Sequence, residues 1–83
     1  MTDIQAFRIT ITGRIQGVGF RPFVTRTAQD LGISGWVRNR SGEVEIHAEA
    51  ARDKLDHFLR TLRSEAPPLA RPNPPRITEA AIT

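Results

Sequence analysis

Eighty-three residues, 39% hydrophobic and 25% charged, make one small domain whose single core must use every apolar face. The absence of cysteine excludes disulfides, thiolate nucleophiles and every cysteine-based zinc site. The net charge of +3 rests on twelve basic residues, eleven of them arginine, but these alternate with acids and form no dense run. That spread argues against a nucleic-acid footprint, while a modest positive field suits a small anion.

Phe7, Ile9 and Ile11 alternate with Arg8, Thr10 and Thr12, which predicts a strand with one buried face that ends at Gly13. A glycine-bearing loop follows to Gly19. Pro22 suits the first helical position, where a missing N–H costs nothing, and Phe20, Phe23, Val24, Ala28 and Leu31 share one helical face, with Gly32 as the stop. Residues 33–39 read as a second strand, Ser41-Gly42 as a tight turn, and residues 43–49 as a third strand, so the two form a hairpin. In the third strand Val44, Ile46 and Ala48 point one way, and Glu43, Glu45, His47 and Glu49 the other. Leu55, Phe58, Leu59 and Leu62 mark a second amphipathic helix over residues 51–64. Pro67-Pro68 ends it, and residues 66–75, with five of the six prolines, should be extended. Residues 76–83 read as a last strand with a poor alternation that allows a bulge.

The order β-α-β-β-α-β predicts an α+β, ferredoxin-like sandwich: a four-stranded antiparallel sheet with both helices on one face. No apolar stretch approaches the ~18 residues of a membrane span, and the first residues carry no signal-peptide pattern. The reading is one cytoplasmic domain, residues 1–83, with no membrane and no nucleic acid among its partners.

The segment with chemical content is Gly13-Arg14-Ile15-Gln16-Gly17-Val18-Gly19-Phe20-Arg21-Pro22. Gly17 and Gly19 let successive backbone N–H groups converge. The positive end of the following helix faces the same point, and Arg21 adds a planar guanidinium that matches phosphate oxygens. A Gly-x-Gly turn before a helix also serves merely as a tight connection. The segment lacks the Gly-Lys-Ser/Thr of a nucleotide P-loop and the third glycine of a dinucleotide fingerprint. Asn39, by position alone, reads as a residue before the turn. His47 and His57 are expected exposed, with no metal-ligand spacing. Trp36 is expected in the core or partly exposed on its strand.

Residues 13–21 resemble the signature of acylphosphatases, and Gly35-Trp36-Val37-Arg38-Asn39 with Gly42 resembles the family's second motif. Ile15 stands where valine is more usual. The resemblance implies that Arg21 binds phosphate, that Asn39 positions the attacking water, and that Gln16, Gly17, Val18, Gly19 and Phe20 form the phosphate-binding loop. It implies a small acyl phosphate as substrate, inorganic phosphate as product or inhibitor, and neither metal nor cofactor. Arg21-Pro22-Phe23-Val24 and Pro67-Pro68-Leu69-Ala70-Arg71 are further similar to the N-terminal domain of the HypF carbamoyltransferases. That likeness implies carbamoyl phosphate as substrate in nickel–iron hydrogenase maturation. It makes the chain an excised N-terminal domain, with downstream domains and hydrogenase maturation proteins as partners. Pro72 to Pro75 depart from the expected entry into the last strand. A free-standing acylphosphatase and a non-catalytic anion-binding module remain the alternatives.

Overall fold

A computed structural model describes residues 3–82. In chain order the elements are β1 (Ile4–Ile11), β2 (Gly13–Arg14), α1 (Phe20–Leu31), β3 (Ser34–Arg40), β4 (Glu43–Ala51), α2 (Arg52–Ser64), β5 (Arg71–Pro72) and β6 (Arg76–Glu79). The main sheet has the order β3-β4-β1-β6, all antiparallel. This is the predicted α+β, ferredoxin-like sandwich.

One face of the sheet is apolar because the two central strands, β1 and β4, keep their apolar residues on it. Ile9 and Ile11 from β1 and Val44, Ile46 and Ala48 from β4 are buried against Phe20, Phe23 and Val24 of α1 and Leu55, Phe58 and Leu62 of α2. Burying each of these large side chains contributes about 1.5–3 kcal/mol, so the core alone explains why both helices lie on this face. α1 stops at Gly32, whose left-handed backbone lets Ile33 N–H reach the Ala28 carbonyl at 2.9 Å. The β3–β4 hairpin closes on Ser41 and Gly42, both at positive φ (49° and 80°), the backbone of a type I′ turn.

Three expectations need correction. The last strand ends at Glu79, and its register from Phe7↔Glu79 to Thr10↔Arg76 is unbroken, so there is no bulge. Thr83, the end of the expected strand, lies outside the described residues. The proline-rich stretch is not simply extended: Ala70 N–H closes a turn on the Pro67 carbonyl, and β5 then pairs with β2. Asn73 completes this ribbon, its N–H donating to the Thr12 carbonyl at 2.9 Å and its amide to Thr12 Oγ1 at 3.0 Å. Prolines without N–H groups suit so short a pairing, which asks little of the ladder. Finally, His47 is 2% exposed, not exposed. It lies on the sheet face away from the helices, beneath Trp36, which stacks on it at 5.7 Å with 18° between the rings.

Candidate functional site

β1 delivers the chain to the loop and α1 takes it away. Between them, residues 16–19 form a turn held at both ends by the core: Ile15 is 3% exposed and Phe20 1%. The Phe20 and Phe23 rings meet at 5.9 Å. Gly17 and Gly19 adopt φ of 68° and 77°, a region costly for other L-residues. A Cβ at either would meet nothing within 4 Å. The glycines are therefore required by backbone conformation rather than by space.

Gly19 caps α1 with no side-chain hydrogen bond, and the first turn of the helix carries no acid. Phe23 N–H already reaches the Gly19 carbonyl at 3.2 Å. The N–H groups before it are left without intrahelical acceptors, as at every helix start. The positive end of the α1 dipole thus stands behind a turn built from two left-handed glycines. Arg21 is exposed on this first turn, and among the described residues its guanidinium makes no hydrogen bond or ion pair.

Asn39 belongs to the edge strand β3. Its register partner is Val44, whose partner on β1 is Ile11. The three residues form one row across the sheet, and paired residues share a face, so Asn39 lies on the helix side with Val44 and Ile11. Two strand spacings of about 4.8 Å separate Asn39 from Ile11, where the chain turns toward the loop. Topology therefore brings Asn39, the loop and the start of α1 to one end and one face of the sheet. The Asn39 amide makes no hydrogen bond among the described residues.

The structure also separates residues that the sequence grouped. Phe20 can face a ligand only through its N–H, because its ring is in the core. Val18 is partly buried and packs against the core, whereas Gln16, Gly17 and Gly19 are exposed. His57 is exposed and His47 is buried on the opposite face of the sheet, so neither joins the loop. Among the described residues no cluster of three or more His, Cys, Asp or Glu side chains assembles, and no helix is long and apolar enough to cross a membrane.

One cluster was missed. On the open face, Glu45 is 8% exposed and accepts a hydrogen bond from Arg38 Nε at 2.8 Å. Arg38 Nη2 lies at 2.6 Å, Arg40 Nη1 at 3.6 Å and Arg8 Nη1 at 3.8 Å from its carboxylate. The Arg38 hydrogen bond, with the charges of Arg38, Arg40 and Arg8, holds the Glu45 carboxyl below the usual range, against the opposing effect of burial. The signal was available, because a two-residue turn at 41–42 sets Arg40 opposite Glu43 and Arg38 opposite Glu45.

Comparison with known proteins gives a consistent result. The acylphosphatase family model matches residues 7–81. Carbamoyltransferase HypF2 of Cupriavidus necator is 52% identical over 64 residues, covering 77% of this chain and 8% of that protein. An acylphosphatase of Bacillus licheniformis is 47% identical over 62 residues, covering 74% of this chain and 69% of the relative. The crystal structure of full-length HypF in a phosphate- and nucleotide-bound form superposes with a TM-score of 0.93 at 34% identity, over 99% of this chain and 11% of that one.

Proposed function

The chain belongs to the acylphosphatase family, and from that premise we propose that it hydrolyses acyl phosphates, with carbamoyl phosphate as the preferred substrate. The observation that carries the reading is the pairing of two features at one end of the sheet. One is an acid-free helix start behind a double-glycine turn, with Arg21 unpaired among the described residues. The other is an unbonded Asn39 amide on the same face.

In this reading the backbone N–H groups of residues 16–21 and the Arg21 guanidinium hold the phosphoryl oxygens and offset their charge. Asn39, with a donor and an acceptor on one amide, aligns a water behind phosphorus. The water oxygen forms a bond to phosphorus as the bond between phosphorus and the acyl oxygen breaks. The carboxylate, or carbamate when the substrate is carbamoyl phosphate, leaves with the electron pair. The proton lost by the water passes to a phosphate oxygen. An acyl phosphate is already activated, so positioning and electrostatics suffice without a strong base.

The carbamoyl preference and a place in hydrogenase maturation rest on the similarity to HypF proteins, of which this chain spans 8–11%. In that setting the domain is one part of a longer carbamoyltransferase and supplies its first step. The free-standing relative, at 47% identity, keeps a self-sufficient acylphosphatase as the second reading.

The test is phosphate release from acetyl, benzoyl and carbamoyl phosphate. Arg21→Ala and Asn39→Ala are expected to lower turnover by about 10²–10³-fold, the range for removing one group that stabilises transition-state charge. Unchanged turnover in both would sink the assignment. Equal kcat/KM on all three substrates would remove the carbamoyl preference.

A further inference from the structure

Asn39 needs a fixed direction, yet it lies on an edge strand one residue short of the hairpin turn, and its side chain makes no hydrogen bond among the described residues. Its backbone is paired with β4 through Val44, and side chains on the other side of the sheet add a second hold. Arg38 and Arg40 flank Asn39 and point to the opposite face, where both reach the Glu45 carboxylate. Arg38 is restrained a second time, its guanidinium carbon lying 4.8 Å from the centre of the Trp36 ring. Arg8 reaches the same carboxylate from β1 and the same ring at 4.9 Å. One nearly buried carboxylate thus collects cations from β1 and from both sides of Asn39.

We infer that Glu45 is a positioning residue for the proposed hydrolysis: by gripping Arg38 and Arg40 it fixes the pleat of β3 and so aims the Asn39 amide through the sheet at the attacking water. This rests on the water-positioning reading of Asn39. Without the Glu45 charge, three guanidiniums converge on one point and repel, and the strand that relaxes first is the edge strand, which has a neighbour on one side only. The phosphate loop, held by Ile15 and Phe20, is untouched. Loss of Glu45 therefore affects the chemical step and spares anion binding.

Glu45→Gln keeps the size and removes the charge. Since a displacement of about 1 Å in a reacting geometry costs on the order of 10²-fold, a partial loosening is expected to lower kcat by about 10-fold. KM and the inhibition constant of inorganic phosphate stay within about twofold, the pattern of an interaction made only in the transition state. Glu45→Asp, which keeps the charge, recovers part of the loss. The decisive measurement is the cycle with Asn39→Ala: in that background Glu45→Gln changes kcat by less than about twofold. A 10-fold loss that persists there, or a Glu45→Gln enzyme with normal kcat, overturns the inference while leaving Asn39 in its role. Normal turnover in Asn39→Ala alone overturns both. Thermal melts confirm that the variants fold. Should Glu45→Gln fail to fold, Arg40→Gln, at an exposed arginine, enters the same cycle with the same expected signature.

Discussion

The two helices begin in opposite ways. α2 leaves β4 directly from Ala51 in an extended backbone conformation and brings Asp53 into its first turn. α1 leaves a loop through left-handed Gly19 and brings no acid. Neither start has a side-chain cap. A helix N-terminus attracts negative charge by about 0.3–1 kcal/mol at an exposed site, so α2 carries its own counter-charge and α1 leaves that place to an anion from outside. On the proposed reading, this difference is why the start of α1 and not that of α2 takes the phosphate.

The largest effect expected of this contrast is a linkage effect. Inorganic phosphate at about 100 times its dissociation constant should stabilise the fold by about 2.7 kcal/mol, read as a shift in urea or thermal unfolding against chloride at equal ionic strength. Arg21→Ala should lose most of that shift, while Asp53→Asn keeps it. A phosphate shift that survives Arg21→Ala would move the anion site away from the start of α1.

Next in size is Gly19→Ala. The added methyl finds open space, so the cost is the left-handed backbone alone, about 1–2 kcal/mol, measured by urea unfolding. If the variant is as stable as the parent, the turn does not need that conformation, and the first half of the contrast fails.

The main sheet and both helices were legible because local patterns decide them. Alternation in β1 and β4, helical spacing from Phe20 to Leu31, and stops at Gly32 and Pro67 are each visible within a dozen residues. The proposed site can be read from the sequence only in parts: Gly17, Gly19 and Arg21 share one short segment, and Asn39 comes from the resemblance to the family's second motif. Their meeting depends on the row Ile11–Val44–Asn39, which exists only once β4 lies between β1 and β3. The β2–β5 ribbon was hidden for a similar reason. It joins Gly13 to Pro72 and Arg14 to Arg71, and no local pattern foretells a pairing so distant in sequence. Gly13 hints at it only in hindsight, since a Cβ there would run into the Arg71 carbonyl. His47 was misjudged because polar alternation indicates a face and not what covers it. Trp36 and Arg8 share its row across the sheet, and Trp36 stacks on its ring.

The smallest effect separates charge from shape at the two helix starts. Pro22 is exposed in the first turn of α1, and replacing it alters the freedom of the unfolded chain as well as the charge. The informative comparison is therefore Pro22→Asp against Pro22→Asn, which differ in charge alone. The aspartate should occupy electrostatically the place kept for phosphate. It should stabilise the helix start by about 0.3–1 kcal/mol and weaken phosphate inhibition by roughly twofold to fivefold for the same reason. Asp53→Asn is the mirror experiment: a similar loss of stability, with phosphate inhibition unchanged. Both effects should shrink as salt rises, because exposed charges are screened within about 10 Å at 0.1 M. If Pro22→Asp leaves phosphate inhibition equal to that of Pro22→Asn, the missing acid of α1 is incidental, and Arg21 with the glycine turn must account for anion binding without help from the helix.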